Sequence, residues 1–299
     1  MNIEERIQSL KKENKAVILA HNYQRPEVQD IADFVGDSLE LSLKAKNTDA
    51  DMVIFCGVRF MAETAKILSP EKIILLPEQN AGCPLADMIT VPKLLALKKE
   101  HPRVPVVCYI NSSVEIKAQS DICVTSANAL SIVNSLPEDE VIFIPDQGLG
   151  GWLSEKSNKK IILYPGYCPT HYLLKKEDFE KARKEYPGVK IIVHPECPKE
   201  IRDLADLVSG TGGMIRLARE LSDHRFVIGT EEGMLYRLKK SVPNKEFILL
   251  SNKLYCPNMK KTTLDSIERA FLQKQYEILV PEDLALAANK MISRMFGVS

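Results

Sequence analysis

The sequence predicts an α/β protein made of three repeated, small three-layer α/β/α units with parallel sheets, arranged around a pseudo-threefold axis. Three observations carry that prediction. Cys-Pro pairs recur at Cys83, Cys168 and Cys256, separated by 85 and 88 residues, and each follows a short apolar run led by a charge. Alignment on these cysteines brings further positions into register: His21 to Ser38, Tyr109 to Ser126 and His194 to Thr211 each span 17 residues, and Val58, Asp146 and Glu231 follow 20 residues later. Short β-branched runs alternate with amphipathic stretches, the pattern of βαβ units.

The elements follow in order. The first unit, 1–87, opens with a charged stretch from Ile3 to Glu13 whose apolar residues recur at helical spacing, as in a surface helix. Ala16 to Ala20 is continuous and apolar, as expected of a strand buried on both faces. Ala32-Asp33-Phe34-Val35-Gly36-Asp37-Ser38 comes next, then an apolar run ending near Val58, then Lys72 to Leu76 before Cys83. The second unit, 88–173, repeats this with a helix from Pro92 to His101, a strand from Val104 to Cys108, and Lys160 to Leu163 before Cys168. The third, 174–299, has a helix from Lys176 to Tyr186, a strand from Val189 to Val193, and Glu246 to Leu250 before Cys256. A tail then adds a helix (Thr262 to Gln273), a strand (Tyr276 to Val280) and a last helix (Pro281 to Phe296), placed to return to the first unit and close the ring.

Length and charge narrow the function. Three units of about 85 residues each sit in the lower range of domain sizes. With 40 basic and 40 acidic residues the chain has no electrostatic footprint for nucleic acid or a membrane surface. No apolar stretch approaches the roughly 20 residues of a membrane span, and the first residues lack a signal peptide's basic start and apolar region. A cytoplasmic enzyme is expected. Its seven cysteines are then poor disulfide candidates. Cys56, Cys108, Cys123 and Cys197 have no counterparts in the other repeats and read as buried, inert thiols.

The chemistry should sit beyond the carboxyl ends of the strands. Side chains alternate with period two, so His21 with Tyr23, Tyr109 with Asn111, and His194 with Glu196 should each project on one side of a strand end. Three such pairs would build one polar pocket. Ser38, Ser126 and Thr211 are placed to cap helices, and three helix starts facing one cavity would favour an anion. The Ser209-Gly210-Thr211-Gly212-Gly213 segment lacks the G-x-G-x-x-G spacing of a dinucleotide site. A small acidic molecule bearing phosphate fits better. Three thiolates at one axis read as metal ligands. Structural zinc prefers closely spaced Cys pairs, which are absent; a cubane iron-sulfur cluster with three cysteines leaves one iron open to act as a Lewis acid. Zinc held by the three cysteines with His171 stays open at this point.

The segments Ala20-His21-Asn22-Tyr23-Gln24, Gly36-Asp37-Ser38, Tyr109-Ile110-Asn111-Ser112, Thr125-Ser126-Ala127-Asn128 and His194-Pro195-Glu196, with the three isolated cysteines, resemble the quinolinate synthase family over essentially the whole chain. That resemblance implies one 4Fe-4S cluster on Cys83, Cys168 and Cys256 with an open iron. It implies condensation of iminoaspartate with dihydroxyacetone phosphate to quinolinate, with loss of phosphate and two waters, in de novo NAD biosynthesis. A functional link to an aspartate-oxidising enzyme is implied as well. His21, Tyr23, Ser38, Tyr109, Asn111, Ser126, His194, Glu196 and Thr211 match the family's substrate-site positions. Ser209 and Met259 are similar to its pocket residues and are not selected by the repeats. Within that resemblance Glu196 and His194 are expected as an acid-base pair beside His21, and Tyr23 as a proton carrier. Tyr109 and Asn111 would orient carboxylates, and Ser38 and Ser126 would hold phosphate or carboxylate. Some members carry Cys-x-x-Cys-x-x-Cys at the third position; Pro257, Asn258 and Met259 follow Cys256 here, so a disulfide switch there is absent. The same cage would suit another iron-sulfur hydro-lyase. It would also suit a cluster-based sensor or ligand-binding protein, but a sensor needs an effector surface or basic element that this neutral chain does not show.

Overall fold

The computed structural model describes residues 1–296, so the last positions of the third expected unit, 297–299, lie outside the described residues. Short β-branched runs have become three four-stranded parallel sheets with one strand order. In the first, β1 (Ala16–His21) pairs with β2 (Phe34–Gly36) and β3 (Met52–Cys56), and β4 (Ile73–Leu75) lies beyond β3. The second sheet repeats this with β5 (Val106–Tyr109), β6 (Ile122–Val124), β7 (Glu140–Ile144) and β8 (Lys160–Leu163). The third uses β9 (Lys190–Val193), β10 (Leu207–Val208), β11 (Arg225–Gly229) and β12 (Glu246–Leu249). Even the register repeats. Ala20 faces Val35 and Cys56, Cys108 faces Cys123 and Ile144, and Val193 faces Val208 and Gly229.

One matched residue explains part of that regularity. Asp33, Asp121 and Asp206 accept the backbone amides of Ile18, Val106 and Ile191 at 2.8, 2.8 and 2.7 Å. Each aspartate's own amide donates back to the carbonyl of the same residue, at 2.9, 3.0 and 3.0 Å. A carboxylate in that place locks the start of the first strand to the approach of the second. Burial does the rest: β3 is buried along its whole length, as a parallel strand covered on both faces should be. Cys56, Cys108, Cys123 and Cys197 are all fully buried within these cores.

The tail binds the first two units. Its helix Leu264–Gln273 packs Ile267, Ala270 and Phe271 with Ile7 and Ile18, beside the Arg6–Glu268 ion pair at 2.5 Å. The expected strand from Tyr276 to Val280 is replaced by a single antiparallel bridge, Leu75 opposite Glu277. Leu76 and Tyr276 exchange bonds at 2.9 and 3.1 Å and Ile278 donates to Ile74 at 2.9 Å, after which Pro281 has no amide to continue a ladder. The final helix, Glu282–Arg294, buries Ala288 and Ile292 in the core shared by the first and second units. Its Asn289 reaches Ile67 O at 3.4 Å and its Arg294 reaches Asp121 O at 2.5 Å. No helix among the described residues is long and apolar enough to cross a membrane.

Candidate active site and metal centre

The carboxyl ends of the first strands of all three sheets meet at one cavity of about 160 Å³. His21 ends β1, Tyr109 ends β5 and His194 follows β9; Tyr23, Asn111 and Glu196 stand two residues further on, and all six line the cavity. The first and third units share a local device: His21 Nδ1 accepts the Tyr23 amide at 3.1 Å, and His194 Nδ1 accepts the Glu196 amide at 3.3 Å. Each neutral ring therefore carries its proton on Nε2. Tyr109 Oη donates to Glu196 Oε1 at 2.6 Å and Asn111 Nδ2 reaches the same oxygen at 3.5 Å. On its other side, Glu196 Oε2 lies 2.9 Å from His171 Nδ1, and the His171 ring stacks on His194 with centroids 4.8 Å apart.

Burial sets the protonation states. It pushes His21 and His194 down to about 3, partly opposed by the Glu196 charge, so both are neutral at pH 7. Burial also drives Glu196 upward, but His194, His171 and the Tyr109 hydrogen bond outweigh it and hold the group below the usual carboxylate range. Tyr23 and Tyr109 are raised well above the ordinary phenol value, by burial first and the Glu196 charge second. One ionised carboxylate thus shares the cavity with two neutral imidazoles, His21 and His194, and two intact phenols.

The residues expected to bind an anion differ from expectation in their local role. Ser38, Ser126 and Thr211 all line the cavity, but none is a helix cap. Asp37 caps helix Ser38–Asn47, accepting the amides of Leu39 and Glu40 at 2.9 Å each, because its carboxylate reaches both from one position earlier. Ser126 lies in the turn before Ala129–Ser135, where Asn128 Oδ1 accepts the Thr125 amide at 2.7 Å. Thr211 opens helix Thr211–Glu220 after Gly210, which has no side chain to cap with. That helix start keeps its amides free for an anion. Asn22 Nδ2, fully buried, donates to Thr211 Oγ1 at 3.0 Å and joins the first unit to it. Ser209 does not line the cavity: its amide continues the strand ladder to Val193 O at 3.0 Å, and its hydroxyl leans over Gly213, where a Cβ would meet it at 2.0 Å.

Cys83, Cys168 and Cys256 open onto the same cavity as free, half-buried thiols. Burial pushes Cys83 up to about 12 and also raises Cys168 and Cys256, whose neighbours Glu196 and Glu231 add to it. Deprotonating three such thiols demands a compensating cation, which is what an iron-sulfur group or a metal ion provides. Their donor set fits an iron-sulfur group of the kind the sequence resemblance implies. Cys168, His171 and Glu196 also lie within 4.8 Å of one another, a second compact donor set sharing one cysteine. The Cys256 loop is tied down from below. Glu231 Oε1 accepts the Cys256 amide at 3.1 Å, Lys260 Nζ pairs with Glu231 at 2.9 Å, and the same ammonium donates to Tyr23 O at 2.6 Å. Met259, beside it, lines the cavity and lies 3.6 Å from Gln24 Nε2.

The family model described as Quinolinate synthetase A protein matches residues 5–297. The chain belongs to that family. It is 52% identical over 296 residues to the quinolinate synthase of Dehalococcoides mccartyi, covering 99% of this chain and 98% of that one. Those of Thermodesulfovibrio yellowstonii and Alkaliphilus metalliredigens are each 51% identical, over 292 and 298 residues, covering 97% and 99% of this chain and 96% and 98% of theirs.

In this member of the quinolinate synthetase A family, sequence reasoning missed several residues that the cavity depends on. His171 was placed only as an alternative zinc ligand; its signal was a histidine three positions after Cys168. Thr230 corresponds to Gly57 and Pro145 in the other repeats, so the repeat could not select it. Glu231 is in register with Val58 and Asp146, but the register gives it no role at the Cys256 loop. Lys260 had no signal at all, because its partner lies 29 residues away.

Proposed function

We propose that the chain is a quinolinate synthase, joining iminoaspartate to dihydroxyacetone phosphate with loss of phosphate and two waters. The convergence of three thiols, one ionised carboxylate and an uncapped helix start in a single cavity supports this reading, together with the name its relatives carry. Cys83, Cys168 and Cys256 would hold one 4Fe-4S cluster, which supplies a Lewis-acidic open iron when bound. Glu196 is the base, held ionised, with Tyr109 and Asn111 fixing it and orienting the substrate carboxylates. Neutral His21 and His194 present Nε2–H donors, His194 completing the acid-base pair. Tyr23 carries protons during dehydration. Ser38, Ser126 and the amides at Thr211 hold phosphate or carboxylate, while Met259 closes the wall and Ser209 acts from behind through Gly213.

We take 1–87, 88–173 and 174–299 as the three units around the pseudo-threefold axis, and the cytoplasm as the site of action. An aspartate-oxidising enzyme is the expected source of the unstable imine. Anaerobic incubation with both substrates, followed by detection of quinolinate, tests the activity. Quinolinate from wild type and none from Glu196→Gln with its metal intact is the expected result; no quinolinate from metal-loaded wild type would leave another hydro-lyase or a sensor. The compact Cys168, His171 and Glu196 set favours one rival, a mononuclear metal site such as zinc, which metal and sulfide analysis separates.

A further inference from the structure

Cys108 and Cys123 face each other across β5 and β6, where the other two sheets place Ala20 with Val35 and Val193 with Val208. Nothing in the repeat calls for sulfur there. Neighbouring strands lie about 4.8 Å apart with paired residues on one face, inside the roughly 4.4–6.8 Å Cα separation that a disulfide spans. Both thiols are fully buried, and so is Lys117 on helix Val114–Ala118. Lys117 Nζ donates to Thr64 Oγ1 at 2.9 Å and to Phe60 O at 3.3 Å, and stands 5.4 Å from the centre of the Phe60 ring. None of these partners carries a negative charge. Glu63, on the helix of Thr64, is held by Arg59 at 2.8 Å, and Glu115 is exposed. A buried ammonium needs a counter-charge, and the two thiols are the ionisable groups left beside it. Burial pushes the Cys108 thiol up, but the neighbouring Cys123 thiol and the Lys117 charge help to outweigh it and bring Cys108 below the ordinary thiol value. Cys123 moves the other way, raised by its hydrogen bond to Cys108 first and by burial second. Burial lowers Lys117 itself, opposed by Glu63 and then by the two cysteines. When protonated, Cys108 has Tyr109 O as an acceptor at 3.3 Å.

We infer that Cys108 and Cys123 are a dithiol that a hydroperoxide converts to a disulfide, with Cys108 as the attacking sulfur, Cys123 as the resolving one and Lys117 as their charge partner. In the first step the Cys108 thiolate attacks the terminal oxygen of the hydroperoxide. A sulfur–oxygen bond forms, the oxygen–oxygen bond breaks, and the leaving oxygen takes a proton from the Lys117 ammonium to depart as water or alcohol. In the second, the Cys123 sulfur displaces the sulfenic oxygen, which leaves as water with the Cys123 proton. Two thiols are thereby oxidised by two electrons and one peroxide is reduced; Lys117 regains its proton from solvent. The bond closes behind the cavity, since Cys108 precedes Tyr109 and Cys123 stands three residues before Ser126. Cys56 and Cys197 are natural controls. They are as deeply buried, Cys56 faces Ala20 rather than a thiol, and burial pushes both up.

The test needs no turnover and does not pass through Cys83, Cys168 or Cys256. Anaerobically prepared wild type is treated with hydrogen peroxide, alkylated in denaturant and digested with trypsin, which cuts after Lys117 and so leaves Cys108 and Cys123 on separate peptides, 104–117 and 118–156. Mass spectrometry should find these two peptides joined, released by dithiothreitol, while Cys56 and Cys197 are alkylated in full. Lys117→Met, which removes the charge, should lose its two free thiols at least about 10-fold more slowly, because the thiolate is the attacking species; here both cysteines lie on one peptide and are read as unalkylated. Lys117→Arg, which keeps the charge, should cross-link at the wild-type rate. In Cys123→Ala the sulfenic acid has no resolving partner, so dimedone should tag Cys108; in Cys108→Ala it should leave Cys123 untagged. Full alkylation of Cys108 and Cys123 in peroxide-treated wild type overturns the inference, as does a link to Cys56 or Cys197 in equal yield, or a Lys117→Met that oxidises as fast as wild type. If Lys117→Met does not fold, the dimedone pattern decides: a tag on Cys108 in Cys123→Ala upholds the inference, and a tag on Cys123 in Cys108→Ala, or on neither, overturns it.

Discussion

Glu196 is the residue on which the proposed chemistry turns, since Tyr109, Asn111, His171 and His194 all surround its carboxylate. Replacing it by glutamine removes the base while keeping the shape, so kcat should fall by about 10² or more, the lower range of general-base catalysis, with metal content unchanged. Single-turnover quinolinate formation checks it. The two buried imidazoles make a pH prediction. Their folded value of about 3 lies below the ordinary 6.5, so the unfolded chain binds more protons between these limits. Stability from this source is complete above pH 6.5 and is lost as pH falls toward 3. Denaturant midpoints should drop across that window, and His21→Asn should flatten the slope. His21, Tyr23, Glu196 and the cysteines were legible because the repeats placed them in register. Thr230 and Lys260 were not, because their partners, Tyr23 and His171 for one and Tyr23 and Glu231 for the other, are distant in sequence and no local pattern encodes them.

At the scale of elements, close backbone approach sets the site. A Cβ on Gly148 would stand 2.3 Å from Glu196 O, so the helix Gln147–Lys156 can start there only without a side chain. Gly233 likewise lets its helix begin against the Tyr23 carbonyl, 2.8 Å from where a Cβ would be. Gly148→Ala should destabilise by about 1–3 kcal/mol through overpacking against backbone, and should lower kcat by moving Glu196. Thermal unfolding and steady-state rates on the same preparation measure both. The repeated aspartates were visible in the alignment, but their function emerged only with the strand amides they hold. Asp121→Ala should cost about 1–3 kcal/mol by leaving the Val106 amide without its acceptor, read from the urea midpoint. Sequence reasoning placed the surface helices and first strands to within two residues. It misassigned the helix caps because Asp37 takes the first helix's amides and the second helix starts only after Asn128, two residues beyond Ser126, and it overextended the tail strand because Pro281 stops the ladder.

Across the whole molecule, the site exists because three similar units each contribute the same corner. The tail fastens the first two units, and the buried Lys260–Glu231 pair fastens the Cys256 loop to Tyr23. Removing the lysine leaves a buried carboxylate uncompensated, at a cost of about 3–5 kcal/mol. Lys260→Met should therefore unfold at lower denaturant and lose metal faster on exposure to chelator. The measurement that bears most directly on the central claim is iron and acid-labile sulfide in anaerobically prepared protein. About four of each per chain are predicted for wild type and for Cys108→Ala, with loss of both in Cys83→Ala, Cys168→Ala and Cys256→Ala. A colourless wild type carrying zinc, or full iron and sulfide in the Cys83→Ala variant, would contradict it.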